Sequence, residues 1–148
     1  MRRGQEVADG VAEEDFQTLV SWEEFPRFDE DLQRKITAFC IGTPDGFVPP
    51  PELDFNKPSM EWYLNHLCEG GLDDSGDFIA IRDIQKNEEL SCDDALVESN
   101  PNLPMPCACG SLTCRRVVTG NDWKDEKFFQ NNRDSMHPRL RRLLPIPA

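Results

Sequence analysis

Short stretches of alternating hydrophobic and polar residues, separated by polar loops, run along this chain. In the segment "FIAIRDIQKNEELSC", Phe78 and Ala80 fall on one face of an extended strand, and Ile79 and Ile81 fall on the other. Asn87 tolerates a positive φ better than most residues, so it suits a turn within this segment. The pattern predicts a β-hairpin with its turn near "QKNEE".

Other stretches predict further short elements. In "EDLQRKI", Leu32 and Ile36 share one helical face, and Asp29 just before this stretch can cap a short helix. The stretch "TAFCIGTPDGFV" predicts two short strands around a Pro-Asp-Gly turn, and "RRGQEV" predicts a turn that leads into a strand. The prolines of "PPPELDFNKPS" predict a loop. Together these patterns predict a fold that is mainly β, with short helices and long loops.

Length and composition limit the class of protein. The 148 residues suit one domain with a modest core, and the 12 prolines and 9 glycines agree with a loop-rich fold. The sequence contains no apolar run of about 18 residues, so we expect no membrane span. The N-terminal "MRRGQEVADG" has no apolar stretch behind its arginines, so we expect no signal peptide. These features predict an intracellular protein, without separating the nucleus from the cytoplasm.

Charge is distributed unevenly along the chain. The net charge is −12, but residues 1–114 carry 8 basic and 24 acidic groups, whereas residues 115–148 carry 8 basic and 4 acidic groups. An acidic body argues against direct nucleic-acid binding and suits a basic, lysine-containing protein or peptide as partner. It also suits an ordinary solubilising surface. The basic tail "HPRLRRLLPIPA" either folds back onto the acidic body or extends into solvent.

Three of the six cysteines stand in "CACGSLTC", a C-x-C-x4-C spacing formed by Cys107, Cys109 and Cys114. Cysteines this close together are natural zinc ligands, and a tetrahedral structural site needs a fourth ligand. Cys68 is one candidate for that position and His66 is its rival. A secreted protein with three disulfides is the alternative use of six cysteines, which the expected absence of a signal peptide disfavours.

Three blocks of sequence, taken in order, resemble the C-terminal half of SET-domain protein-lysine methyltransferases. "YLNHLCEGG" is similar to the family signature F-I-N-H-S-C-x-P-N, and "FIAIRDIQKNEELSCDDA" is similar to A-x-R-D-I-x-x-G-E-E-L-T-Y-D-Y-G. "CACGSLTCR" is similar to the post-SET motif C-x-C-G-S-x-x-C-R-G. The likeness covers residues 60–116, continues weakly through "VTGNDWKD", and is thin before residue 60.

The resemblance implies a SET-like β-clip fold with a zinc-stapled post-SET segment. It implies a SET-like domain over residues 1–98, a proline-rich connector over 99–106, a zinc motif over 107–124 and a basic tail over 125–148. The family's strand pair with a G-x-G turn, which holds the cofactor, has no counterpart in this sequence, where "MRRGQEV" resembles only its end. We therefore expect weak binding of S-adenosylmethionine.

The resemblance also assigns roles to individual residues. One structural zinc ion would be held by the signature cysteine and the three post-SET cysteines, listed here as Cys68, Cys107, Cys109 and Cys114. Asn65 and His66 match the pair that contacts S-adenosylmethionine, and Trp123 either packs over the cofactor edge or lies in the core. Tyr63 matches an aromatic position expected to pack in the core, and Arg82 and Glu88 are expected to form a surface ion pair as readily as to serve a special role.

The family's catalytic chemistry is a direct methyl transfer from S-adenosylmethionine to a neutral lysine amine, next to a tyrosine hydroxyl. In this chain "EELSCDDA" stands where the family has "EELTYDYG", so Cys92, Asp94 and Ala95 replace two tyrosines and a glycine. The resemblance therefore predicts a lysine methyltransferase of weak or lost activity, with its catalytic residue unknown and Asp94 at the tyrosine position. The alternative is a catalytically inactive, zinc-stabilised binding or scaffold module.

Overall fold

Short strands and helices alternate along the chain in a computed structural model that describes residues 1–57, 60–102 and 104–143. The strands are β1 Glu6–Asp9, β2 Val20–Ser21, β3 Ile41–Thr43, β4 Gly46–Val48, β5 Asn65–His66, β6 Asp77–Ile79, β7 Ser91–Cys92, β8 Met105–Pro106 and β9 Val117–Val118. The α-helices are α1 Glu30–Phe39, α2 Glu126–Asn132 and α3 Pro138–Leu143. Single turns of 3-10 helix connect many of these elements. The fold is therefore a mixture of short strands and short helices rather than mainly β.

The strands form four small sheets within the described ranges. β1 pairs with β6 and β8 with β9, both antiparallel, while β5 pairs with β7 in parallel. The third antiparallel group has the order β2-β4-β3. No helix in the described ranges has the length and apolar character that a bilayer crossing requires.

The hairpin predicted for "FIAIRDIQKNEELSC" is wrong, because its two strands do not pair with each other. Leu72 lies between them: it bridges Ala80 in antiparallel fashion and Cys92 in parallel fashion. The rest of the prediction holds, since Asn87 has a φ of 67° in the turn. Phe78 and Ala80 are buried, and Ile81 is 39% exposed.

The local predictions made from capping and turn residues are confirmed. The Asp29 carboxylate accepts the Leu32 N–H at 2.8 Å and begins α1, and Ile36 on the inner face of that helix is fully buried. β3 and β4 form the expected pair around Pro44, Asp45 and Gly46. Each of these elements is specified by residues within a few positions of it, so the local sequence was sufficient to predict it.

Two larger hydrophobic clusters form most of the core of the described residues, and a third, smaller one, with Ala95, Cys107 and Val118, lies at the clustered cysteines. The N-terminal cluster, built from α1 and the β2-β4-β3 sheet, contains Val20, Ile36, Cys40 and Phe47. The second cluster joins the β1-β6 sheet to the C-terminal segment and contains Leu72, Phe78, Ala80, Ile84, Cys92, Leu96, Trp123, Met136 and Leu140.

The C-terminal tail folds back onto the body, at least as far as residue 143. Met136 and Leu140 are fully buried, and His137 is 1% exposed, with its Nε2 3.0 Å from the Val11 carbonyl. The apolar side of α3, with Leu140, therefore docks against the second cluster, and Arg142 on the same helix is exposed. The final residues, 144–148, lie outside the described residues.

Candidate metal centre and adjoining cavity

The cysteines that are distant in sequence meet at one point of the fold. Cys68 follows β5, Cys107 and Cys109 follow β8, and Cys114 precedes β9. The Cys107 N–H donates to the Arg116 carbonyl at 2.8 Å and closes the loop between β8 and β9. Cysteines from two remote segments are therefore brought together by the pairing of β8 with β9 and by the position of β5.

Two glycines allow this close approach. Gly110, inside the loop, has a φ of 78°, a left-handed conformation that a residue with a Cβ adopts only under strain. At Gly70, a Cβ would lie 2.9 Å from the Cys92 backbone. The segment after Cys68 can therefore run directly against β7 only because position 70 has no side chain.

The sulfur atoms are close enough to share one ion. The Sγ of Cys107 lies 3.8 Å from the Sγ of Cys68 and 3.8 Å from the Sγ of Cys114. One ligand atom from each of four residues also lies within 4.8 Å of the others, and this group consists of His66, Cys68, Cys107 and Cys109. The centre could hold a metal ion, and it offers five side chains for it.

His66 stands between the sulfur cluster and the chain that follows β7. Its Nε2 lies 3.4 Å from the Cys68 Sγ, and its Nδ1 accepts the Asp94 backbone N–H at 3.2 Å. The Asp93 and Asp94 carboxylates are farther from Nδ1, at 3.7 and 3.8 Å. Burial is the main cause that lowers the pKa of His66 below its ordinary value.

The thiols of the cluster differ in acidity. Hydrogen bonding to the Ser111 hydroxyl, whose Oγ lies 3.2 Å from the Cys109 Sγ, is the largest cause that lowers the pKa of Cys109 to about 5. Burial raises the pKa of Cys68 to about 12. Metal ligation requires thiolates, so an ion entering the cluster would displace the proton of Cys68.

An arginine clamps the cluster to the strand that carries Cys92. Arg115 donates to both oxygens of Asp93, at 2.7 and 2.5 Å, and its Nε lies 3.3 Å from the Asp122 carboxylate. Its guanidinium also stacks over the Phe128 ring at 5.1 Å. Such a two-pronged pair fixes orientation as well as distance. The segment after Cys114 is therefore held rigidly against the body.

A cavity of about 540 Å³ adjoins the metal cluster and is lined by residues of both larger hydrophobic clusters. Its lining is largely apolar, with side chains from the end of α1, from β4 and from the connector before β8. His66 and its neighbour Asn65 form part of the wall, so β5 faces the cavity on one side and leads to Cys68 on the other. The volume falls within the range of about 300–1,000 Å³ that is typical of small-molecule sites.

Three carboxyl groups line the cavity. Asp74 is 2% exposed, its Oδ1 has no hydrogen-bond partner among the described residues, and burial raises its pKa to about 7. Burial also raises the pKa of Asp94, whose side chain keeps 39% exposure and is therefore less desolvated than Asp74. Glu98 is satisfied by three backbone N–H groups, the closest being that of Asn100 at 2.7 Å. The Nδ2 of Asn100 is itself buried without a partner in the described part of the chain.

The other residues singled out in the sequence occupy varied positions. Trp123 is 8% exposed within the second hydrophobic cluster and donates its indole N–H to the Gly120 carbonyl at 2.6 Å. Trp123 therefore packs in the core, and its contact with a cofactor stays a prediction. Arg82 and Glu88 form an ion pair at the surface, at 2.5 Å. Tyr63 is 69% exposed, so the prediction that it packs in the core is wrong: its 3-10 turn directs it outward.

The cysteines outside the cluster are buried thiols. Burial raises the pKa of Cys40 to about 12, as expected for an ordinary core thiol, and Cys92 is 5% exposed. All six cysteines of the chain are free in the structure, which does not support the three-disulfide alternative.

Two residues of the site were missed in the sequence. Asp74 lies in "EGGLDDSGD", which has the composition of an exposed loop, and no local signal distinguishes it from Asp73. Asp93 reads as an acidic surface residue, although it is 7% exposed and holds Arg115. The available signal for Asp93 was its position between Cys92 and Asp94, two residues singled out by the resemblance.

Comparisons with protein-family models, curated proteins and solved structures find no match to this chain.

Proposed function

We propose that the chain is a SET-like, zinc-stabilised module that binds S-adenosylmethionine in the cavity beside the cysteine cluster and transfers its methyl group to lysine slowly. The observation that carries this proposal is the position of one short segment. Asn65 and His66 line the cavity, and Cys68, two residues further on, belongs to the metal cluster. Residues of the first two sequence blocks that resemble the family therefore line one cavity, and the cysteines of the third block meet the first block at the metal cluster.

The donor set supports zinc as the metal. Thiolates are soft ligands that favour zinc, and a tetrahedral ion with Zn–S bonds of about 2.3 Å separates its sulfur ligands by about 3.8 Å. The two Sγ–Sγ distances from Cys107 have that value. A site closed by protein ligands is structural, so its role would be to fix the post-SET segment as a wall of the cavity.

The carboxyl groups that line the cavity suit a positively charged ligand. Asp74, whose Oδ1 has no hydrogen-bond partner among the described residues, lines the cavity together with Asp94 and Glu98. Burial raises the pKa of all three carboxyl groups, and a bound cation would favour their ionised forms. S-adenosylmethionine carries a sulfonium cation and supplies the methyl group, while a lysine side chain carries an ammonium. An apolar cavity with a few carboxyl groups lowers the free energy of either cation more than it would that of a neutral guest.

The acceptor amine would be poorly activated in this cavity. Only a neutral amine attacks the sulfonium, and a carboxylate neighbour typically raises the pKa of an ammonium by about 1–3 units. Asp94 lines the cavity at the aligned tyrosine position, so the neutral fraction of the lysine would fall by roughly 10- to 1,000-fold. The hydroxyl that aligns the amine is missing as well, since Tyr63 is the one tyrosine of the chain and is exposed.

One observation favours the second candidate, a catalytically inactive binding module. The same carboxyl groups that retain a cation also keep an amine protonated, so binding and turnover are opposed in this cavity. An inactive module would bind S-adenosylmethionine or a basic peptide and leave both unchanged.

The two candidates are separated by measuring binding and turnover on the same zinc-loaded protein. Calorimetry with S-adenosylmethionine tests the cavity, and transfer of a labelled methyl group to lysine-rich peptides tests the reaction. Saturable binding with slow transfer supports the proposal. Binding without any transfer supports the inactive module, and the absence of binding refutes both.

A further inference from the structure

Two buried polar atoms in residues of the cavity wall have no hydrogen-bond partner among the described residues. One is the Oδ1 of Asp74 and the other is the Nδ2 of Asn100, and these residues are 2% and 1% exposed. Buried polar atoms are nearly always hydrogen-bonded, so an unpaired atom in a cavity wall is normally satisfied by what occupies the cavity. The two atoms therefore indicate which groups a ligand of this cavity carries.

The free end of the Asn100 side chain is its NH₂ group. Its Oδ1 accepts the Asn102 backbone N–H at 2.9 Å, and because an N–H needs an acceptor, this bond identifies Nδ2 as the unpaired atom. The Asn100 backbone is also fixed, since its N–H donates to the Glu98 carboxylate at 2.7 Å and Gly120 packs against it without room for a Cβ. Asn100 therefore presents a hydrogen-bond donor in a set orientation.

The Asp74 carboxyl group stands on a backbone that is held equally firmly. The Asp74 N–H donates to the Ser135 carbonyl at 2.9 Å, and the preceding N–H, that of Asp73, donates to the Ile79 carbonyl at 2.9 Å. This segment is therefore pinned between β6 and the C-terminal segment. In its ionised form the carboxyl group only accepts hydrogen bonds, so Asp74 presents an acceptor where Asn100 presents a donor.

These two groups set requirements of opposite kind on a ligand. A ligand that enters the cavity displaces solvent, and it loses affinity unless its own atoms replace the hydrogen bonds of that solvent. The Asp74 oxygen requires a donor, and a cationic donor makes the stronger bond. The Asn100 NH₂ group requires an oxygen or an unprotonated ring nitrogen. A wholly apolar ligand would suit the rest of the wall and leave both groups unsatisfied.

We infer that Asp74 and Asn100 select the ligand of the cavity: Asp74 binds its cationic group, and Asn100 donates to a separate acceptor atom. The class of ligand is a small molecule that carries a positive charge and, elsewhere, a hydrogen-bond acceptor. The choice of S-adenosylmethionine, which carries both, rests on the function proposed above. Neither residue belongs to the three sequence blocks that resemble the family, so the selection is a property of this chain's own packing.

Calorimetry on the zinc-loaded chain tests the role of Asp74 with two ligands, S-adenosylmethionine and the uncharged nucleoside methylthioadenosine. The titrations are run at pH 8, above the Asp74 pKa of about 7, so that the carboxyl group is ionised. We expect Asp74→Asn to weaken the binding of S-adenosylmethionine about 10- to 100-fold and to change that of methylthioadenosine by less than about 3-fold. The exposed Asp77, changed to asparagine, is the matched control.

A second variant tests the donor. Asn100→Ser removes Nδ2 and keeps a side-chain oxygen that can accept the Asn102 N–H, as serine does in turns of this kind. We expect it to bind S-adenosylmethionine roughly 3- to 10-fold more weakly than wild type. Asn102→Ser, at an exposed position of the same turn, is the matched control and should bind as wild type does. Zinc content and urea unfolding establish that each variant is folded.

The outcomes separate this assignment from the proposed function. Saturable binding to wild type with unchanged affinity in either variant would overturn the assignment and leave the proposed function standing. Equal losses for both ligands in Asp74→Asn would also overturn it, because the carboxyl group would then act through shape rather than charge. A folded, zinc-loaded wild-type chain that does not bind S-adenosylmethionine would refute both. If Asn100→Ser fails to fold, Asp74→Asn, which keeps the shape of the side chain, still decides.

Discussion

Replacing the buried carboxyl group of Asp74 by a neutral amide should stabilise the protein, and the gain should depend on pH. Asp74 is 2% exposed, and its Oδ1 has no hydrogen-bond partner in the part of the chain that the structure describes. Burial first, and the neighbouring Asp73 second, raise its pKa from 3.8 to about 7. Asp74→Asn keeps the shape of the side chain and removes its charge.

The magnitude follows from the difference between the folded and unfolded pKa values. A shift of about 3 units corresponds to about 4 kcal/mol, which is an upper limit on the effect. Because the folded state holds the proton more tightly, the wild-type protein loses stability as the pH rises from about 4 to about 7. Below that window the carboxyl group is neutral in both states and the penalty vanishes. Above it the penalty is complete.

Urea unfolding of both proteins at pH 5.5 and pH 8 measures this effect. The stability of Asp74→Asn relative to wild type should increase by about 2 kcal/mol between the two pH values, with similar m-values. Zinc binding is itself pH-dependent, so the two proteins are compared at each pH with equal zinc content. The exposed Asp77, changed to asparagine, is the matched control and should show no such trend.

A difference between Asp74→Asn and wild type that stays constant from pH 5.5 to pH 8 would refute the reasoning. It would mean that the Asp74 charge is compensated in the folded protein. A pH-independent difference in unfolding free energy that adds to the predicted trend would not refute the reasoning, because the new amide has its own hydrogen-bonding requirement at every pH.

Three further predictions follow from the site and the tail. Cys68→Ser and Cys109→Ser should each reduce the zinc content found by metal analysis, because each removes one thiolate ligand. The control Cys40→Ser should retain about one zinc per chain. Retention of zinc in Cys68→Ser would contradict the ligand set. Asp94→Tyr should raise the rate of methyl transfer to lysine-rich peptides, and a slower reaction would show that Asp94 assists turnover. Leu140→Ala should destabilise the protein by about 2–5 kcal/mol in urea unfolding, since this fully buried side chain docks α3 on the core, and a loss below about 1 kcal/mol would contradict that docking.

Local structure was predictable wherever neighbouring residues specify it. The Asp29 cap fixes where α1 begins, and the Pro-Asp-Gly turn fixes the pairing of β3 with β4. The hairpin prediction failed because a third segment, at Leu72, lies between the two strands. Alternation specifies that a strand has two faces, but it does not specify which distant segment pairs with its edge.

The candidate site was predictable in its chemistry and only partly in its geometry. The C-x-C-x4-C spacing identified three of the clustered cysteines, and Cys68 was placed with them through the family resemblance. The role of Asp74 was not predictable, because its burial results from the packing of "EGGLDDSGD" against Ser135 and β6. The burial of a carboxyl group depends on long-range packing, which the local sequence does not specify.

Calorimetry with S-adenosylmethionine, run on zinc-loaded and zinc-stripped protein, tests the central claim most directly. The segment with Asn65 and His66 lines the cavity and is tied to the cluster through Cys68, so the metal should hold the cavity wall in place. We predict saturable 1:1 binding to the zinc-loaded chain and no measurable binding after the zinc is removed. The absence of binding to a folded, zinc-loaded chain, or equal binding with and without zinc, would contradict the account.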